Sequence, residues 1–216
     1  MKKGFILSMA ISIIAFVIAV WFVLTTKGDI PIHWNIAGEV DGYGSPLMML
    51  IFPTTSILVT LLIYFLPKID PKGENIKKSG PILPIIMVII AFLMLGIEFF
   101  IIMAVKGSDI MNMTMFISLV LGVMFVVMGY YMPQVKHNYM LGIRTPWTLY
   151  SENIWVKTHE ESKNWLIVAG LSYLACAFIK SPYNIIVPVI ITMVVMVGLV
   201  VYSYLLFAEE KSNKKK

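Results

Sequence analysis

Ile82–Val105 reads Ile-Leu-Pro-Ile-Ile-Met-Val-Ile-Ile-Ala-Phe-Leu-Met-Leu-Gly-Ile-Glu-Phe-Phe-Ile-Ile-Met-Ala-Val, an unbroken apolar run with one ionisable side chain, Glu98. A strand with one wet face would alternate, and a soluble amphipathic helix would carry a polar stripe; this run does neither. It is long enough to span a hydrocarbon core, which needs about 20 helical residues. Its prolines, Pro81 and Pro84, fall at the start, where a helix tolerates a missing N–H. The stretch therefore predicts a membrane-spanning helix. The whole chain fits that reading, being 59% hydrophobic and 13% charged, with mean hydropathy +0.85.

Outward from this run, five more of the same kind appear: Phe5–Thr25, Leu47–Leu66, Ile110–Met132, Trp165–Ile179 and Tyr183–Phe207. They are continuously apolar, which predicts helices rather than a β-barrel. The fold class expected is all-α, a polytopic membrane protein with six transmembrane helices. A cytoplasmic N-terminus then places Lys2, Lys3, Lys68, Lys72, Lys77, Lys78, Lys136, Arg144, Lys157, Lys163, Lys211, Lys214, Lys215 and Lys216 inside, and only Lys27, Lys106 and Lys180 outside. That asymmetry obeys the positive-inside rule and puts both termini in the cytoplasm. A re-entrant fifth run would place the four tail lysines outside. The first run, after two lysines, reads as a retained signal anchor.

The chain divides on this pattern into a two-span unit, 1–67 with outer loop 26–46, and a four-span unit, 82–207 with cytoplasmic loop 133–164, within one membrane domain. The net charge of +5 is a topology signal at the inner face of the lipid bilayer and implies no direct contact with nucleic acid. Cys176 lies in a span without a partner cysteine, and the scattered methionines form no ligand ladder. No cofactor and no metal are expected.

The outer loop is rich in turn residues, Gly38, Asp41-Gly42, Gly44 and Ser45-Pro46. Ile32, Trp34 and Ile36 alternate with His33 and Asn35, which predicts a short extended segment. His33 with Glu39 and Asp41 lacks a metal-ligand spacing. His33, Trp34, Asn35, Asp41 and Tyr43 are the candidate contacts for an external peptide. Lys68–Gly80, with four lysines, reads as a solvated turn. Pro53 is expected to kink the second span. Glu98 faces the bundle as a polar site, or reaches the interface or Lys106. Lys106–Asp109 reads as a tight outer hairpin.

Loop 133–164 holds the only arginine, Arg144, within Leu-Gly-Ile-Arg-Thr-Pro-Trp-Thr-Leu, residues 141–149. Gly142 permits backbone geometry that other residues resist. Thr145-Pro146 is a helix-start signal, threonine as cap and proline at the first helical position. From Ser151-Glu152 onward, Ile154, Trp155, Thr158, Ser162 and Trp165 recur at helical spacing opposite Glu152, Lys157, Glu160 and Lys163. This predicts an interfacial amphipathic helix running into the fifth span. Arg144 beside Trp147 could bind lipid phosphate, stack on an aromatic ring, cap helix carbonyls or pin the loop.

Gly142-Ile143-Arg144-Thr145-Pro146-Trp147-Thr148, with Asn138 before it and Trp155 and Thr158-His159 after it, resembles the signature of the SdpI-type immunity protein family. The outer loop, Pro31 through Ser45, resembles an N-terminal domain of uncharacterised function that often precedes that signature. The resemblance implies a non-enzymatic, multi-pass bacterial plasma-membrane protein giving immunity to a secreted antimicrobial peptide. It also implies signal transduction through recruitment of a cytoplasmic repressor protein. The toxin peptide would then meet the outer face, and the repressor a surface around Arg144 and Trp147. The alternative from the residues alone is a small transporter or channel with Glu98 as its intramembrane polar site. There is no His-Glu-x-x-His, nucleophile elbow or phosphate-binding loop, so no catalytic residues are assigned.

Overall fold

A computed structural model describes residues 1–107 and 113–214. The start of the expected fourth span, Ile110–Asn112, and the expected turn residues Ser108 and Asp109 lie outside the described residues. The elements in order are α1 (Lys2–Thr25), β1 (Ile30–Trp34), β2 (Val40–Gly44), α2 (Ile51–Ile69), α3 (Gly73–Lys77), α4 (Ile82–Val105), α5 (Met113–Tyr131), α6 (Pro146–Tyr150), α7 (Glu152–Cys176) and α8 (Tyr183–Asn213). Short 3₁₀ turns precede α2 and follow α5. Among the described residues, five helices are long and apolar enough to cross a membrane: α1, α2 with its preceding turn, α4, α5 with its following turn, and α8. The protein is thus a helical, multi-pass membrane protein.

Two small-residue interfaces hold the bundle. Helix α1 packs against α2 and α4 through Ser8, Ser12, Ala15 and Ala19, all buried at helical spacing. Between apolar helices lipid offers no less hydrophobic a surface than a neighbouring helix, so close approach and interhelical hydrogen bonds must supply the association. Ser8 hydrogen-bonds Thr60 at 2.7 Å and donates to the Met87 carbonyl at 3.0 Å, while Ser12 and Ser56 pair at 2.6 Å. Helices α5 and α7 meet along glycines. A Cβ on Gly170 would lie 2.7 Å from the Gly122 carbonyl oxygen, and one on Gly129 2.8 Å from the Lys163 oxygen.

Three expectations change here. Pro53 falls in the first turn of α2 rather than in its middle, where it costs no ladder bond. The amphipathic stretch runs into the fifth apolar run as expected, Glu152–Cys176 being one continuous helix of 25 residues, but its apolar stripe does not lie on a surface. Neither proline nor glycine interrupts the first half of that helix, so nothing divides it. The stripe of Ile154, Trp155, Thr158, His159 and Ser162 is buried, covered by the chain's own loop and helices rather than by a membrane surface. The Lys68–Gly80 segment is not a freely solvated turn either. Asp70, Gly73, Ile76 and Ser79 are buried in it, and they hold the motif loop, as described below.

The loop after α1 is an antiparallel β-hairpin that pairs Ile30 with Gly44, Pro31 with Tyr43, His33 with Gly42 and Trp34 with Val40. Asn35 builds its turn, its side-chain oxygen accepting the N–H groups of Ala37 and Glu39 at 2.9 and 3.0 Å. Ile30 and Trp34 pack on a cluster of Ala19, Phe22, Met49 and Ile101 at the ends of α1, α2 and α4. The hydroxyl of Ser181 donates to the Ile36 carbonyl at 2.8 Å, tying the hairpin tip to the α7–α8 connection.

Candidate functional site

At the opposite end of the bundle from the hairpin, residues 135–149 fold into a wired loop. Asn138 is fully buried at its centre. Its amide nitrogen donates to the carbonyls of Lys136 and Leu141, at 2.7 and 3.0 Å, and its oxygen accepts the N–H groups of Met140 and Leu141, at 2.8 and 2.6 Å. Both donors and both lone pairs of the amide are thereby used.

Gly142 adopts φ +105°, in the left-handed region that favours glycine. A Cβ there would stand 2.4 Å from Nε2 of His159. This approach lets the next N–H, that of Ile143, donate to His159 Nε2 at 3.0 Å, while His159 Nδ1 donates to the Trp155 carbonyl at 2.8 Å. One ring nitrogen accepts and the other donates, so the imidazole is neutral. Burial in this site lowers its pKa to about 4. The ring stacks on Trp155 with centroids 4.1 Å apart, and Trp155 Nε1 donates to the Val135 carbonyl at 2.8 Å.

Thr145 and Thr148 then form a reciprocal capping box at the start of α6. The Thr148 N–H donates to Thr145 Oγ1 at 3.1 Å, and the Thr145 N–H to Thr148 Oγ1 at 2.9 Å. Thr145 also hydrogen-bonds Ser203 on α8 at 3.0 Å. Pro146 occupies the first helical position, and Trp147 meets Tyr204 of α8 edge-on, with centroids 5.1 Å apart.

The α2–α4 connection clasps this loop from the side. Asp70 accepts the Tyr139 N–H at 2.8 Å, Asn75 donates to the His137 carbonyl at 2.7 Å, and Ser79 accepts the Lys136 N–H at 2.9 Å. Lys72 Nζ stands 3.1 Å from Nδ1 of buried His137. Burial, and then the Lys72 ammonium, lower the His137 pKa, which leaves its Nδ1 free to accept from the lysine.

The candidate motif residues thus divide in two. Asn138, Gly142, Thr145, Thr148 and Trp155 build the loop and its anchorage. Arg144 and Pro146 are exposed, together with Tyr139, Met140 and Tyr150. Arg144 donates one hydrogen bond, to the Tyr139 carbonyl at 2.8 Å. Sequence reasoning assigned no structural role to His137, His159, Asp70 or Ser203. The histidines sit within the motif stretch and could have been suspected. Asp70 and Ser203 are 69 and 58 residues from their partners and carry no local signal.

At the hairpin end, His33, Asp41 and Tyr43 are exposed, with the His33 ring bonded to the Asp41 carboxylate. Trp34 and Asn35 are partly buried and belong to the hairpin's own construction. Glu98 does not reach Lys106 or an interface. It is fully buried on α4, and neither carboxyl oxygen has a hydrogen-bond partner among the described residues. An apolar cavity of about 470 Å³ lies beside it, lined by phenylalanines including Phe99 and Phe116.

Comparison with known proteins bears on both ends. Residues 134–205 match the SdpI/YfhL protein family, and residues 10–66 match a domain of unknown function, DUF1648. The chain is 24% identical over 204 residues to the immunity protein SdpI of Bacillus subtilis (strain 168), covering 94% of this chain and 95% of that protein. No solved structure matches. The first match contains the whole wired loop from Val135 to Trp155; the second contains the hairpin.

Proposed function

We propose, from the SdpI/YfhL family match over residues 134–205, that this plasma-membrane protein protects its bacterial cell against a secreted antimicrobial peptide without catalysing a reaction. The observation that carries the reading is the extent of the similarity to an immunity protein, which includes both the hairpin and the wired loop. In this reading six spans cross the bilayer, the fifth in order being the apolar second half of α7 from Trp165, while its first half belongs to the cytoplasmic side. Both termini and the motif loop are cytoplasmic, and the hairpin is external. The exposed His33, Asp41 and Tyr43 are the peptide-facing residues. The exposed Arg144, Pro146 and Tyr139 with Trp147 form the inner surface to which a cytoplasmic repressor protein is recruited when the peptide is bound.

The test is a challenge of cells with and without the protein, using peptides secreted by related bacteria. The reading expects the protein to raise the tolerated dose of at least one peptide, and Arg144→Ala, at equal abundance, to lose repressor recruitment. Equal sensitivity of both cell types across the peptides would refute it.

A second reading is supported by Glu98. A buried carboxyl without a partner is expensive inside a bilayer and marks ion or substrate paths. As a small transporter or channel, the chain would use Glu98 as its coupling site. Flux in proteoliposomes that survives Glu98→Gln would remove this reading.

A further inference from the structure

A second cavity, of about 530 Å³, opens under the motif loop between α4, α5, α7 and α8. Its walls are apolar, with Ile86, Phe125, Leu166 and Val200 among them, and the loop residues Leu141 to Thr145 form one side. Arg144 is the cationic residue in its lining. Cavities of this size hold extended organic ligands, apolar walls taking the body of the ligand and a few polar groups fixing one end.

The guanidinium is under-used. It has five N–H donors, and its hydrogen bond in the structure is the one to the Tyr139 carbonyl. The ion pairs among the described residues are His33–Asp41, Lys77–Glu74 and Lys214–Glu210, so no carboxylate neutralises Arg144. Its backbone is fixed between the Gly142–His159 contact and the Thr145 cap, and the head group is tethered by Tyr139. A planar fork held this way at the rim of an apolar cavity matches a phosphate oxygen pair above a hydrocarbon chain. Three cavity walls belong to helices apolar enough to span the bilayer, so the cavity is supplied by the leaflet that surrounds them.

We infer that the Arg144-rimmed cavity is a binding site for one anionic phospholipid, phosphate on the guanidinium and acyl chain among α4, α5 and α8. The site stands on this geometry and is independent of whether the chain confers immunity. A bound lipid would tie the motif loop to the ends of three helices and link its position to the charge of the surrounding leaflet.

The test titrates the purified full chain in neutral detergent with phosphatidylglycerol, phosphatidylcholine or glycerol phosphate, reading both the melting temperature and co-purified lipid by native mass spectrometry. Phosphatidylglycerol should raise the melting temperature and be retained at one molecule per chain; phosphatidylcholine and glycerol phosphate should do neither. Arg144→Ala should weaken phosphatidylglycerol binding about tenfold or more, the loss expected for charge-assisted hydrogen bonds. Because Arg144 is exposed, this variant should melt like the parent when no lipid is added. Ile86→Trp, which fills the cavity and leaves the arginine in place, should also weaken binding. Equal binding by Arg144→Ala, an equal response to phosphatidylcholine, or full activity of chain-free glycerol phosphate would each overturn the inference.

Discussion

Gly142→Ala tests the wiring of the motif loop most sharply, because it adds one methyl group at a point where two costs coincide. The backbone there has φ +105°, and placing an L side chain in the left-handed region costs roughly 1–2 kcal/mol. The new Cβ would also stand 2.4 Å from His159 Nε2 and 3.3 Å from Trp155 Cζ2. Trp155 is held by Val135, so the histidine must shift, and the Ile143 N–H then loses its acceptor. An unpaired buried donor costs about 1–3 kcal/mol. The sum is about 2–5 kcal/mol, well above the half kcal/mol typical of a surface change. Thermal unfolding of the purified protein measures the total. A cycle with His159→Ala separates the parts: in that background the clash is gone, and Gly142→Ala should cost only the backbone share. Unfolding of Gly142→Ala indistinguishable from the parent, or an equal cost in both backgrounds, would refute the described contact.

Other perturbations follow from the same geometry. Asn138→Ala strands four backbone groups and should cost roughly 3 kcal/mol or more, seen as a lower melting temperature and faster tryptic cleavage at Lys136 and Arg144. Glu98→Met replaces an unpartnered buried carboxyl by an apolar group of similar size and should stabilise the protein by about 1–3 kcal/mol; a lower melting temperature would mean that Glu98 has a partner. The neutral, buried His159 gives a pH dependence. Its folded pKa is depressed by burial to about 4 from the ordinary 6.5 of a free imidazole, so the unfolded chain takes up a proton that the folded chain refuses. Its contribution is complete above about pH 6.5 and is lost as pH falls from there toward 4, by about 3 kcal/mol in all. His137, also lowered by burial, acts in the same direction. Melting temperatures between pH 7 and 4 check this, and His159→Gln should flatten the decline.

What could be read from the sequence is what local chemistry decides. The spanning helices follow from runs such as Ile82–Val105, because apolar length alone specifies them. The Thr145-Pro146 helix start follows from side-chain capping within three residues. The hairpin's extended segment was visible in the alternation around Trp34, and the buried stripe of α7 in the spacing of Ile154, Trp155, Thr158 and Ser162. What covers that stripe was not visible. An amphipathic pattern states that a face is buried and is silent on whether lipid or protein buries it. The clasp by Asp70, Asn75 and Ser79 was hidden for a similar reason, since a lysine-rich turn looks solvated until a loop more than 55 residues away supplies its partners. Glu98 was marked by composition, but its lack of any partner is a fact of packing.

The most direct test of the account is binding of a protective peptide at the hairpin. A peptide against which the protein defends cells, carrying a fluorescent label, is titrated against the full chain in lipid nanodiscs, alongside Tyr43→Ala and His33→Ala. Both side chains are exposed, so neither substitution should disturb the fold. The account predicts saturable binding by the parent protein, weakened in both variants, with protection of cells falling in parallel. Saturable binding that both variants retain unchanged, or protection without any binding, would contradict it.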